Sequence, residues 1–164
     1  MRNLLEMIYE HQLLRSKERH LDIPLDDAER VKLLGLERLL MGERPDQRQR
    51  KFVRVRLPMD VQFTRPAGFE TGKLRDLGGG GFQIATSRPP EPGTRIIVRV
   101  EDARRGIEYV FPCLVAWRSP RGPGRMGVKL DGVPSSGPLF GEEASDVWRR
   151  SMTLGDDRGE PLVA

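Results

Sequence analysis

Two stretches decide the fold: Arg95-Ile96-Ile97-Val98-Arg99-Val100, and Tyr109-Val110-Phe111-Pro112-Cys113-Leu114-Val115-Ala116-Trp117. In the first, Ile96, Val98 and Val100 share one parity. In the second, Tyr109, Phe111, Cys113, Val115 and Trp117 do the same. Alternate side chains leave opposite faces of an extended chain, so each run predicts a strand with one apolar face. Upstream, Pro89, Pro90, Pro92 and Gly93 make a rigid loop, and Gly81–Thr86 alternates through Phe82 and Ile84. Residues 72–77 form a further short strand, and Pro66 with Gly68 marks a turn. Val61 and Phe63 continue a run broken at Pro58, in which Val53, Val55 and Leu57 share a face opposite Phe52, Arg54 and Arg56. Downstream, Pro120–Gly124 turns the chain, and Met126, Val128 and Leu130 close the series. Six or more short strands with no helix between them predict a mainly β domain, an antiparallel sandwich or barrel.

The flanks read differently. Residues 3–19 predict a helix, with Leu4, Leu5, Ile8, Gln12 and Arg15 along one stripe. Pro24 interrupts it. A second helix starts near Asp26, whose carboxylate and Glu29 three residues on spell a capping box. Val31, Leu33, Leu34, Leu36, Leu39, Leu40 and Met41 give it a broad apolar surface, and Gly42 is its stop. So much leucine needs a cover, either within the chain or in a second copy or partner. Residues 1–45 are thus a helical extension, 46–134 the β domain, and 135–164 a tail with a short helix over Glu142–Met152 and a disordered end.

Composition narrows the function. The chain has 164 residues, 32% charged and 37% hydrophobic, with net charge +4 and a pI near 9.6. The basic excess is local: between Arg44 and Arg56 stand six Lys or Arg against one acid, Asp46. That favours an anionic partner. A single cysteine, Cys113, excludes an internal disulfide framework and suits a reducing compartment. Met1–Leu14 lacks the apolar run of a signal peptide, and no stretch reaches the roughly 18 apolar residues of a membrane span. A cytoplasmic protein without membrane insertion is expected.

Catalytic patterns are not found. The only histidines, His11 and His20, lie on or just after the first helix and read as surface residues rather than metal ligands. There is no nucleophile elbow. Gly122-x-Gly124-x-x-Gly127 spells a dinucleotide fingerprint, but it joins two strands and opens no helix. The chain reads as no enzyme, with no cofactor and no metal.

Two pieces remain. Gln49-Arg50-Lys51-Phe52-Val53-Arg54 carries two arginines of equal parity, four positions apart. Each guanidinium can fork onto a phosphate or a guanine edge and can stack on a base, and Arg48 and Lys51 add charge beside them. Asp76-Leu77-Gly78-Gly79-Gly80-Gly81 supplies acceptors for a guanine's N–H donors and a backbone that lets a ligand approach closely. Taken singly, the first reads as a solvated charged run and the second as a hairpin turn.

In this order and spacing, the pieces resemble the PilZ family, bacterial receptors for cyclic di-GMP. Arg50-x-x-x-Arg54 matches the family's Arg-x-x-x-Arg motif, and Asp76-x-Gly78-x-x-Gly81 its Asp/Asn-x-Ser/Ala-x-x-Gly motif. Gly81-Phe82-Gln83-Ile84, Cys113-Leu-Val-Ala-Trp117-Arg118 and Met126-Gly127-Val128-Lys129-Leu130 extend the likeness over residues 46–134. The resemblance implies a six-stranded antiparallel barrel. It assigns Arg50 and Arg54 to guanine and phosphate contacts, Asp76 to a guanine edge and Gly81 to a close turn. Gly78 departs from the family's Ser or Ala, and Gln49 stands where many members carry a further arginine. The expected function is a cyclic di-GMP effector that relays binding to a protein partner or to self-association through the N-terminal helices. The alternatives are an adaptor of the same fold without nucleotide binding, and last a nucleic-acid-binding barrel, for which aromatics (6%) are few.

Overall fold

The computed structural model describes residues 3–41, 52–119 and 121–139. Helix α1 spans Leu4–Arg19. Asn3 caps it, its side-chain oxygen accepting the Leu5 N–H at 2.8 Å. Glu6 in the first turn and Lys17 and Arg19 in the last suit the helix dipole. Helix α2 spans Asp27–Met41. The capping box forms reciprocally: the Glu29 N–H donates to Asp26 Oδ1 at 2.8 Å, and the Asp26 N–H to Glu29 Oε2 at 3.1 Å.

Seven strands follow: β1 Val55–Arg65, β2 Gly68–Gly78, β3 Gly81–Ala85, β4 Arg95–Asp102, β5 Ile107–Ser119, β6 Arg125–Leu130 and β7 Ser135–Pro138. Their order is β4-β1-β2-β3-β6-β5-β7, every pairing is antiparallel, and β4 also pairs with β5. That extra pairing closes β1 to β6 into a six-stranded barrel, leaving none of the six as an open edge. The interior is filled by Phe63, Leu74, Leu77, Phe82, Ile84, Val98, Phe111, Met126 and their neighbours. Burying each large side chain contributes about 1.5–3 kcal/mol. Phe82 meets Phe111 edge-on at 5.2 Å.

The helices join this core. Leu5, Ile8 and Leu40 belong to the same apolar cluster as the barrel interior, while Leu14, Leu25 and Leu36 make a second, smaller one. Polar ties hold α1 down along its length. Asn3 Nδ2 donates to Asp102 at 2.6 Å, Gln12 Nε2 to the Gly132 carbonyl at 3.0 Å, and Arg105 pairs with Glu6 at 3.1 Å.

Four local expectations change. Pro58 does not break the strand; it sits at the irregularity between Arg56 and Met59, where no ladder partner is needed. The alternation before it therefore does not carry over: Val53, Val55 and Leu57 are exposed, and Phe52 is the buried one. A second irregularity, between Val115 and Trp117, turns Trp117 out of the apolar face, to 39% exposure. His11 is not a surface residue; it is fully buried, 3.5 Å from Glu37 and edge-on to Phe52 at 5.2 Å. Finally, β7 adds to β5 through Ile107↔Pro138 to Val110↔Ser135, a strand with no apolar alternation to announce it. Gly42 and the helix over Glu142–Met152 lie outside the described residues.

Candidate nucleotide site

The glycine run lies at the β2–β3 hairpin, and its lack of side chains is used by the chain itself. A Cβ on Gly79 would meet the Phe52 ring at 2.9 Å, and one on Gly78 would meet the Val53 carbonyl oxygen at 2.8 Å. Residues Phe52 to Arg54 are therefore laid directly on the glycines. The Val53 N–H donates to the Leu40 carbonyl at 3.0 Å, so the same segment is fastened to the end of α2. Gly81 is needed for another reason: a Cβ there would lie 2.0 Å from the Val128 carbonyl of the neighbouring β6. Only a bare backbone allows that approach.

This packing brings the two motifs together. Arg54 Nη1 donates to Asp76 Oδ1 at 2.9 Å, with both side chains partly exposed. Asp76 is aligned by its register with Arg56 on β1 and Gln83 on β3. An arginine held by a carboxylate keeps part of its fork for a ligand, and the carboxylate keeps acceptors for one. Arg48, Arg50 and Lys51 lie outside the described residues.

Two clefts open on either side of the Arg54–Asp76 pair. The first, about 530 Å³, lies between α1 and the barrel. Arg54, Gly78, Gly79, Gly80 and Gly81 line it, with Trp117, Gly127 and Lys129 beyond and Gln12, Arg15, Ser16, Arg19 and His20 on the helical side. The second, about 550 Å³, holds Asp76 with Arg56, Arg75, Gln83, Arg121 and Arg125. Both fall within the range of roughly 300–1,000 Å³ that small-molecule sites occupy. The expected site residues are thus split: Arg54, Gly78 and Gly81 face the first cleft, and Asp76 the second.

Trp117 lines the first cleft, a place that the alternation conceals, because the strand reads as if its ring pointed inward. Its indole lies against Gly127, where a Cβ would approach Nε1 to 2.1 Å, and Arg125 stands 5.9 Å from its ring centre. An exposed indole beside glycines offers a flat apolar surface of the kind bases stack on. Arg15 and Arg19 are likewise unannounced by the two motifs. Burial lowers the Arg15 pKa from its ordinary value, the neighbouring Arg19 charge lowers it further, and Glu37 opposes both. No group of metal-ligating side chains occurs among the described residues.

The family model for the PilZ domain matches residues 48–137. Among solved structures, the chain is similar to the Bacillus subtilis inhibitor of motility, MotI/DgrA, with 13% identity and a TM-score of 0.43, over 71% of this chain and 58% of that one. It therefore spans less than two thirds of that structure's length. It is also similar to the PilZ domain of CeSA from a cellulose-synthesizing bacterium, with 21% identity and a TM-score of 0.39, over 63% of this chain and 98% of that one. No curated protein matches it. The family match covers more than half of the 164 residues and takes in both motifs and the whole closed barrel, so the chain belongs to the PilZ domain family.

Proposed function

We propose that this protein is a non-enzymatic receptor for cyclic di-GMP, working in the cytoplasm, that relays binding through its N-terminal helices to a protein partner. The observation that carries the reading is the Arg54–Asp76 pair, held beside the glycine run at the junction of two basic clefts. In this reading Arg54 forks onto a guanine or a phosphate, and Asp76 accepts from a guanine edge. Arg50, with Arg48 and Lys51, completes the grip from the segment before Phe52. Gly78 and Gly81 let the backbone pack close. Functionally, residues 1–45 act as the relay, 46–134 as the receptor and 135–164 as a tail.

Gly78, where the family carries Ser or Ala, has a structural reason in this chain. A Cβ would press on the Val53 carbonyl, so the glycine lets the arginine-bearing segment sit down on the hairpin. What the ligand loses in a side-chain contact is offset by a pre-placed Arg54.

Thermal melting tests the reading. Cyclic di-GMP at about a hundred times its Kd adds about 2.7 kcal/mol to stability. That raises Tm by several degrees, at about 2–4 °C per kcal/mol for a chain of this size. GTP leaves Tm where it is, and Arg54→Ala removes most of the shift. A wild-type protein whose Tm ignores cyclic di-GMP would overturn the assignment.

One observation favours a second reading, an adaptor that binds a partner without nucleotide. On α2, Val31, Leu34 and Leu39 are 71%, 63% and 62% exposed. Apolar helix faces of that kind serve as contact surfaces. This reading predicts partner binding or self-association that Leu34→Asp abolishes and that cyclic di-GMP leaves unaltered.

A further inference from the structure

We infer that α1 supplies a phosphate-binding wall of the nucleotide site, with Arg15 and Arg19 as its ligand-contacting residues. The inference rests on the cyclic di-GMP reading and adds residues that lie outside the family match at 48–137. The helix carries Gln12, Arg15, Ser16 and Arg19 at a spacing that puts all four on one stripe, and all four line the first cleft opposite the glycine run.

Three observations point to a bound anion there. The first is pairing. Basic side chains elsewhere around α1 are matched: Lys17 with Glu29, Lys32 with Glu10, Arg105 with Glu6, and Arg95 with Asp131. Arg15 and Arg19, by contrast, line the cleft opposite the glycine run, and Glu37 is the carboxylate whose charge acts on Arg15. The second is mutual repulsion. Arg15 is partly buried, and Arg19 is close enough to disfavour its charge; Glu37 opposes both without cancelling them, and an anion between the arginines would relieve the rest. The third is placement. Gln12 is tied to the Gly132 carbonyl at 3.0 Å and His20 lies 3.4 Å from Asp131, so the stripe is held at both ends against the barrel. Two forks on a fixed helix then face Arg54 and Lys129 across about 530 Å³.

The chemistry this selects is a phosphodiester. Guanidinium forks match phosphate oxygens in pairs. A ligand with one base near Arg54 and Asp76, and a ribose-phosphate ring extending under α1, would touch both walls. It would thereby bridge the family domain and the helical extension.

The test is a calorimetric titration with cyclic di-GMP of the full chain and four variants: Arg15→Ala/Arg19→Ala, Arg15→Gln/Arg19→Gln, Arg54→Ala and Arg30→Ala. Arg30 is exposed on α2, outside both clefts. Losing charge-assisted contacts to phosphate should weaken binding by about ten- to hundredfold in both double variants. It should also flatten the dependence of Kd on salt, with circular dichroism and Tm in the absence of ligand as for wild type. Arg30→Ala should bind as wild type. The inference is overturned if wild type binds, Arg54→Ala fails, and both double variants stay within about twofold with an unchanged salt dependence; the receptor reading then survives alone. If wild type itself does not bind, both fall together. The glutamine pair keeps the test decisive should the alanine pair fail to fold.

Discussion

At the scale of single residues, the glycines of the second motif do two separate jobs. Gly81 admits the backbone of β6, while Gly78 and Gly79 admit Val53 and Phe52. That Arg54 and Asp76 belong to one candidate site is an expectation their residue types and spacing carry in the sequence. Their direct pairing was not legible there, since it depends on how Phe52 sits on Gly79. Trp117 was misplaced for a related reason: one irregularity after Val115 shifts the parity of every residue beyond it. His11 departs from the surface expectation, which rests on a lone polar residue of an amphipathic helix usually facing water. Here Glu37 and the Phe52 edge make a buried place for it.

Cys113 gives a residue-scale prediction with a defined sign. Burial raises its thiol pKa far above the ordinary 9.0, and Asp131 raises it further. Below about pH 9 the thiol is neutral in both folded and unfolded chains. Above that, only the unfolded chain loses the proton, so this group's contribution to stability falls as pH rises. The stability difference between wild type and Cys113→Ala should therefore shrink by up to about 1.4 kcal/mol per pH unit above pH 9. Chemical denaturation at about pH 8 and about pH 10 measures it; a constant difference would show the thiol to be open to solvent.

At the scale of elements, the strands were legible wherever one face is buried and the other wet, as in β4 and β6. The ends were not. β2 begins at Gly68 rather than 72, and β5 reaches from Ile107 to Ser119, because ladder pairing with neighbours extends strands past their apolar alternation. β7 rests wholly on pairing with β5. The helices were legible from caps and leucines, but not the identity of what covers them. Ile8 enters the barrel's own cluster. Ile8→Ala should cost about 2–5 kcal/mol, and it should lower the stability of the barrel as well as of α1. Asp26→Ala, which removes one half of the capping box, should cost about 0.5–2 kcal/mol. Urea unfolding followed by both far-ultraviolet circular dichroism and tryptophan fluorescence, with Trp148→Phe as the background so that Trp117 alone reports, checks both. Separate transitions for helix and barrel in Ile8→Ala would argue that α1 docks without sharing the core.

At the scale of the whole molecule, the helices and the candidate site meet at one side chain. Phe52 covers Gly79, touches His11 of α1 edge-on, and precedes the Val53 N–H that bonds the last turn of α2. A ligand drawn to Arg54 acts two residues from that junction. Differential contacts at such a point are what allow binding energy to shift the placement of an attached element. The basic run before β1 carries the expectation of an anionic ligand. It says nothing of α1, which with Arg15 and Arg19 stands over the same cleft. Helical periodicity says which residues share a face and not what that face opposes.

The most direct test of the account is an isothermal titration of the purified wild-type chain with cyclic di-GMP, with GTP as the control. A cyclic di-GMP receptor gives saturable heat with cyclic di-GMP alone and a stoichiometry of one or two ligands per chain. No heat with cyclic di-GMP, together with an unchanged Tm, would contradict it and leave the exposed face of α2 as the working surface of the molecule.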